Sequence, residues 1–467
     1  MTVDNQKPAT KISGSGNLDR VKAIVFYSFN DEDALAVLRM LGPAKLAGLE
    51  VIHGVKDRSV DIDAVNKGDL VVIQREFGVD YNSYEKVIAN ARLLEKPVIL
   101  DLDDLILALP EDHPDRLAGN FSPALLPLLQ TIIEADLVTV PTAHLREYLL
   151  PYNPSIEIIP NYLDDSLWSL IPPRKKVDSA EPIIIGYMGG HSHAPDLSMI
   201  LPALMQLVKI YPQNRIRFQF WGIEPPAELV PYSKVDWFPP PSRRYSDFAE
   251  YFQRQEMDIA IAPLGDNLFN SCKSSIKFLE YTAIGAPGVY SRVAPYADVI
   301  ENEIDGMLAA TTEEWISALG RLIESVDLRG LLIGNAQHKV NQSWMLSKNA
   351  DKRAKIYSEL VSNYRREGKT YPPFFELEKT ITRQLYEEHL RNYHSRQQKD
   401  DRIQYLTRRG AEQDNLIQSL NGKISNTEFT LEQMNQHVTD LENEVVSYAT
   451  SKSWRWTRPF RKIFNKW

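Results

Sequence analysis

The sequence predicts an α/β protein of two doubly wound domains in tandem, followed by a long helical appendage and a basic, aromatic tail. Three observations carry that prediction. Short apolar runs alternate with amphipathic helical stretches through most of the chain, the pattern of parallel sheets covered by helices on both faces. The 467 residues exceed the roughly 250–300 over which a single core keeps growing. After Tyr371 the composition turns long, polar and helical, with apolar residues on a seven-residue period.

The elements follow in order. Residues 1–19, MTVDNQKPATKISGSGNLD, contain no apolar h-region and read as a short disordered lead rather than a secretory signal. From Arg20 the runs VKAIVFYS, LEVIHG, DLVVIQ, PVILDLDD, ADLVTVP and IEIIPN predict the strands of a first Rossmann-like domain over residues 20–165. The Pro- and Lys-containing stretch from Ile171 to Pro182 reads as a linker. IIIGYMGG, IRFQFWG, VDWFPP, DIAIAPL and GVYS predict a second such domain over 183–345, and a helical connection occupies 346–400.

Within 401–449, Ile403, Ile417, Ile424, Leu431, Val438 and Val445 form one apolar series and Leu406, Leu420, Met434, Leu441 and Tyr448 a second, with breaks at Gly410, Gln413 and Thr427. These are the a and d positions of a heptad repeat, so a coiled coil and a homo-oligomer are expected, against the alternatives of a partner helix or a lone helix lying on the domains. The tail, 450–467, combines Trp454, Trp456, Phe460, Phe464 and Trp467 with Lys452, Arg455, Arg458, Arg461, Lys462 and Lys466 and no acid. Such a segment suits peripheral contact with an anionic membrane face; an RNA-binding arm is the competing reading.

Composition narrows the function classes. With 43% hydrophobic and 25% charged residues the chain is of globular type, and a net charge of −9 argues against a general nucleic-acid binder. The single cysteine, Cys272, excludes an internal disulfide framework and a cysteine-based zinc site, and is compatible with a cytoplasmic location. No apolar run is long enough for a transmembrane helix. Triad order, nucleophile elbow and Walker loop are all missing from the sequence, so hydrolase and kinase readings have no residues to stand on.

The most informative segment runs from Asp258 to Ser291. A strand leads into a polar loop, and a helix beginning near Ser274 carries Lys277 and Glu280 on one face of its first turns. Helix N-termini attract anions; a cation beside one suits a phosphate, and a carboxylate suits the hydroxyls of a sugar. The alternative is a solvated i,i+3 ion pair on a surface helix. Upstream, Gly186 to His193 forms a glycine-rich turn between a strand and a helix starting near Asp196. Its amides could approach a diphosphate, with Gly189 and Gly190 as the contacts and His193 lining the site.

Pro263, Leu264, Asn270, Lys273, Lys277, Glu280, Tyr281, Ala283, Gly285, Pro287 and Ser291 resemble the donor-binding pattern of retaining GT-B-fold glycosyltransferases of family 4, "group 1". His193, Asp196 and Leu197, and the Ser-Trp-Arg-x-Thr-x-Pro ending at Ser453, resemble the branch that builds bacterial surface polysaccharides. The resemblance implies a nucleotide-sugar donor as co-substrate, with no further cofactor and no metal. It implies that Glu280 holds the ribose, that Lys273 and Lys277 neutralise the diphosphate, and that Asn270 belongs to the same site. It also implies that the helix-rich stretch from Asn335 to Tyr364 crosses back to the first domain. Many relatives carry a second glutamate eight positions before the first, where this chain has Cys272.

Asp101, Asp103 and Asp104 end a first-domain strand, and His113 follows. The resemblance implies that Asp103 and His113 line the acceptor side of the cleft. Two alternatives stand beside it: a D-x-D metal site of the GT-A kind, and helix capping by individual aspartates. Arg243 and Arg244 read as a solvated loop pair, with contact to a phosphate as the alternative. The expected activity is transfer of a sugar to an envelope glycan or lipid-linked glycan, O-antigen or capsule, at the inner face of the plasma membrane. A catalytically silent scaffold and a sugar-nucleotide epimerase are the competing functions.

Overall fold

A computed structural model describes residues 20–174, 181–212, 214–231, 234–240, 242–364 and 370–452. The lead, part of the linker, and the tail from Ser453 onward lie outside the described residues.

Six parallel strands form the first sheet: β1 (Ala23–Tyr27), β2 (Glu50–His53), β3 (Leu70–Gln74), β4 (Val98–Asp101), β5 (Leu137–Val140) and β6 (Ile156–Ile158), in the order β2-β1-β3-β4-β5-β6. The central strands are buried at every residue while edge strand β2 is not. Helices on both faces make the inner strands continuous apolar runs. The second sheet holds β7 (Ile183–Gly189), β8 (Ile216–Gly222), β9 (Lys234–Phe238), β10 (Ile259–Ala262), β11 (Gly288–Ser291) and β12 (Met307–Ala309), ordered β9-β8-β7-β10-β11-β12. Each apolar run read as a strand is one. β12 was not foreseen, because three residues, Met-Leu-Ala, carry too little periodicity. Nor was the hairpin pairing Val55–Lys56 with Ser59–Val60, whose turn residues Asp57 and Arg58 both have positive φ.

Strand order reverses direction between β1 and β3 in the first sheet and between β7 and β10 in the second. Loops leaving adjacent strand ends diverge at such points and open a crevice beyond the carboxyl ends.

The helix Val326–Ser343 ends on the second domain, and the chain then returns to the first. The Leu163 amide donates to the Trp344 carbonyl, and the Leu346 amide donates to the Leu163 carbonyl. Ala350, Ala354 and Tyr357, on the helix Ala350–Asn363, pack into the first-domain core with Ile24, Met40 and Val72.

A single helix runs from Phe375 to Thr450. Its first turns lie on the first domain, where Lys379 Nζ is 3.8 Å from Glu134, Arg383 donates to Glu85 at 2.5 Å, and the Tyr386 ring is 5.8 Å from Tyr81. From Glu387 on the chain forms a separate unit. There the a and d residues of the heptad series are 47% to 65% exposed, Gly410, Gln413 and Thr427 aside. Among the described residues, no helix is long and apolar enough to cross a membrane.

Candidate functional site

β7 ends at Gly189, and Gly190 opens a 3-10 turn, His191–His193, into the helix Ala194–Ile210. A Cβ on Gly189 would lie 2.5 Å from the Tyr187 hydroxyl, whereas one on Gly190 would meet nothing within 4 Å. The backbone at Gly190 is thus open to a ligand. Gly222, at the end of β8, has φ +92°, and a Cβ there would strike the Gly189 carbonyl. His193 Nδ1 lies 2.8 Å from Asp196 Oδ2. Burial, reinforced by Lys277, pushes the imidazole down to about 4. Asp196 also accepts from the Gly265 amide at 2.8 Å and from Asn270 Nδ2 at 3.2 Å, tying the loop after β10 to the turn after β7.

The loop after β10 leads into the helix Ile276–Ala283, which begins beside Ser275 and presents Lys277 and Glu280 one turn apart. Both side chains are buried, at 9% and 4% exposure, so the solvated surface pair is not what forms. Among the described residues neither takes part in an ion pair at 4.0 Å or less. Lys277 Nζ donates to the Tyr187 hydroxyl at 3.3 Å and sits 4.9 Å from that ring's centre. Desolvation pushes the ammonium down to about 8, against a partial pull upward from Asp196. Glu280 Oε1 accepts from the Tyr245 hydroxyl at 2.8 Å, and that hydroxyl in turn accepts from Trp168 Nε1 at 3.1 Å. Desolvation pushes the Glu280 carboxyl up to about 7, with the Tyr245 bond and Lys277 opposing.

The first domain faces this wall with the carboxylates that end β4. Asp101 is fully buried and fully engaged: Arg39 Nε donates to Oδ2 at 3.0 Å and Nη2 to Oδ1 at 2.7 Å, Thr139 donates at 2.6 Å, and Arg353 lies 3.6 Å away. Asp104 Oδ2 accepts from Lys273 Nζ at 3.3 Å, and Lys273 also lies over the Phe269 ring at 4.3 Å. Asp103 approaches Arg75 at 3.6 Å, but its Oδ1 is buried without a hydrogen bond. Burial pushes its carboxyl up to about 6 against the pull of Arg75. His113 caps a short helix by accepting from the Asp115 amide at 3.2 Å and meets the Phe269 ring edge-on. Burial lowers its pKa.

The loop after β10 is itself planted in the first domain. Phe269 and Cys272 belong to the core formed by Leu102, Leu105, Leu128 and Leu145. Thr142 donates to the Cys272 carbonyl at 2.8 Å, and Asn161 donates to Ser274 Oγ at 2.9 Å. The Cys272 side chain is fully buried, its thiol pushed up to about 11, and lines none of the cavities described below.

Three cavities share lining residues along the crevice. One of about 390 Å³ is bounded by Gly189, Gly190, Trp221, Tyr245, Lys277 and Glu280, with Leu38 from the first domain. A second, of about 180 Å³, lies among Arg39, Asp103, Asp104, Lys273 and Lys277. The third, also about 180 Å³, is lined by His113, Asn270 and Lys273. His193 borders all three. Every residue singled out for the site therefore borders one crevice, though Asn270 spends its amide on Asp196 and the Gly265 carbonyl. Arg243 and Arg244 line the largest cavity, with Arg244 3.5 Å from Glu32.

No protein-family model and no curated protein matches the sequence. Solved structures do match in shape. Anabaena HepE, determined with UDP and glucose, superposes with a TM-score of 0.52 at 13% identity, over 73% of this chain and 100% of its own. A glycosyltransferase of Rickettsia africae gives 0.51 at 13% identity, over 73% and 99%. Sucrose-phosphate synthase of Thermosynechococcus elongatus gives 0.51 at 14%, again over 73% and 99%. The chain has the GT-B fold.

In this GT-B chain the D-x-D alternative loses its first carboxylate, since Asp101 is occupied by Arg39, Thr139 and Arg353. Among the described residues no group of three or more His, Cys, Asp or Glu side chains is arranged to hold a metal ion. Sequence reasoning missed Arg39, Arg75, Tyr187, Trp221 and Tyr245. Apart from the neighbouring Glu76 that Arg75 also holds, their partners lie far off in the sequence and meet only once the sheets are assembled.

Proposed function

We propose that the chain is a retaining glycosyltransferase that takes a sugar from a nucleotide-sugar donor and adds it to a cell-envelope glycan or lipid-linked glycan. One observation carries the reading: a buried lysine and a buried glutamate, unpaired with each other, line the largest cavity of a GT-B crevice at the carboxyl ends of β7 and β10. The shape likeness to HepE and to sucrose-phosphate synthase supports it.

In this reading Glu280 accepts from the ribose hydroxyls, held in place by Tyr245. Lys277, Lys273 and the open backbone at Gly190 receive the diphosphate. Charge grows on that diphosphate as the glycosidic bond to it breaks. A desolvated ammonium then stabilises the transition state more than the ground state. The departing diphosphate takes the acceptor proton on the same face, so no protein nucleophile is required. Asp103 and His113 position the acceptor from the first-domain side. The site works on the cytoplasmic side of the plasma membrane, where the basic, aromatic tail contacts anionic headgroups.

The test is thermal stabilisation of the full chain by UDP, GDP, dTDP and CMP, each with and without a divalent metal, repeated on Glu280→Ala. Stabilisation by one nucleotide that the variant loses supports the reading and identifies the base. No shift with any nucleotide sinks it in favour of a silent scaffold. Release of nucleotide only in the presence of a glycan acceptor then separates transfer from epimerisation.

A further inference from the structure

From Glu387 the C-terminal helix presents its a and d residues to solvent, and the residues flanking that stripe decide what can cover it. Around a 3.5-residue period, Arg409, Lys423, His437 and Glu444 occupy g positions, and Asp414, Glu428 and Glu442 occupy e positions, with Ala449 at the e position that Glu444 meets. In a parallel, in-register pair of helices each g residue meets the e residue five places on in its partner. Arg409 then faces Asp414, Lys423 faces Glu428 and His437 faces Glu442, and no such pair joins like charges. In an antiparallel pair e meets e, and because every charged e residue is an acid, that arrangement sets Asp414, Glu428 and Glu442 against one another. Among the described residues, none of Arg409, Asp414, Lys423, Glu428 and Glu442 has an ion-pair partner within its own helix, unlike Arg408 and Glu412 on the outer face.

The core positions agree. Ile403, Ile417, Ile424, Val438 and Val445 are β-branched residues at a, while Leu406, Leu420 and Leu441 stand at d. That division favours two parallel strands over three or four. The polar and small layers at Gly410, Gln413 and Thr427 meet their own copies only in register, which penalises slipped pairings.

We propose that residues 403–448 cover their apolar stripe with a second copy of the same chain, as a parallel, in-register, two-stranded coiled coil. Two copies of the basic sequence after Lys452 then leave the pair at one end. This stands on the helix alone and is independent of what the crevice binds.

Sedimentation and light scattering of the full chain at micromolar concentration give a particle of twice 53.3 kDa. The only native thiol, Cys272, is buried, so Gln413→Cys reports on register. It oxidises to a disulfide-linked dimer, while Ser425→Cys on an outer position does not. Glu428→Lys, which sets two ammonium pairs in opposition across the seam, weakens the dimer roughly fivefold to tenfold, and adding Lys423→Glu restores it. Leu420→Asp with Leu441→Asp yields monomers whose globular domains keep the parent thermal transition. A monomeric parent, a mass of three or four chains, a dimer that survives the double aspartate change, or a dimer in which Gln413→Cys fails to cross-link each overturns the proposal.

Discussion

Lys277→Met should move activity and stability in opposite directions. In the free chain the amine titrates near 10.5, and in the fold burial pushes it down to about 8. A folded value below the unfolded one means that the fold disfavours the charged form. The penalty is fully present below pH 8, fades as pH rises toward 10.5, and is gone above it. The difference corresponds to a cost on the order of 3 kcal/mol at neutral pH. Methionine fills the same space without a charge and forfeits the weaker gains over the Tyr187 ring, worth about 1 kcal/mol. The ligand-free variant should therefore be more stable by roughly 2 kcal/mol at pH 7, a rise of several degrees in the first thermal transition, and the advantage should vanish near pH 10.5. Sugar transfer should fall by on the order of 100-fold or more, the effect of removing one charge-stabilising contact. Calorimetry between pH 7 and pH 10.5, beside an assay of nucleotide release, checks both halves. A variant less stable than the parent at pH 7, or one that keeps its rate, refutes the argument.

Glu280 gives the mirror case. Its folded value of about 7 lies above the ordinary 4.5, so its carboxylate costs stability above pH 7 and the cost fades as pH falls toward 4.5. Glu280→Gln should accordingly stabilise the ligand-free chain at pH 8 but not at pH 4.5. Titration calorimetry should show nucleotide affinity falling below about pH 7 in the parent, and the variant should lack that pH dependence. Asp103→Asn should leave the nucleotide dissociation constant unchanged, remove an acid limb near pH 6 from the rate profile, and slow transfer by about 100-fold. Cys272→Glu, which introduces the glutamate that the family the sequence resembles often carries at this place, should not raise activity. It would place a carboxyl in the first-domain core and destabilise by several kcal/mol, read as a lower denaturant midpoint. Arg39→Met removes both short guanidinium bonds from the Asp101 carboxylate, leaving it Thr139 and the more distant Arg353, and should cost about 3 kcal/mol in the same assay.

The strands were legible because strands buried on both faces must be apolar throughout, and those runs stand out from their flanks. Lys277 and Glu280 were legible as a pair because helical periodicity fixes their common face. That they are buried was not, since Tyr187, Tyr245 and Trp168 come from three other segments. Cys272 shows the limit most clearly. In sequence it sits in a polar loop, at the place where the family the sequence resembles often carries a glutamate; in the fold the same loop reaches across the crevice and buries the thiol in the opposite domain. The first aspartate of the D-x-D-D run misleads for the same reason, because its partners Arg39 and Arg353 lie 62 residues before and 252 residues after it. Local pattern gave no hint of either.

How the charges of the crevice cancel explains why one residue matters most. Asp101 is neutralised by Arg39 and Arg353, Asp103 stands against Arg75, and Asp104 holds Lys273. Of the lysines that line the three cavities, only Lys277 lacks a carboxylate within 4.0 Å among the described residues. Burying an unpaired ammonium is unfavourable, and a protein keeps such a group where a ligand supplies the missing anion. Glu280, one turn away, is drawn to the Tyr245 hydroxyl and so does not quench it. The wall therefore offers an anion a cation without competition, and hydroxyls a carboxylate fixed beside it, at the strand ends where GT-B sheets open. A phosphate attached to a ribose meets both demands at once, whereas a free sugar meets only the second and inorganic phosphate only the first. That is the ground on which we propose a nucleotide as the ligand of this crevice.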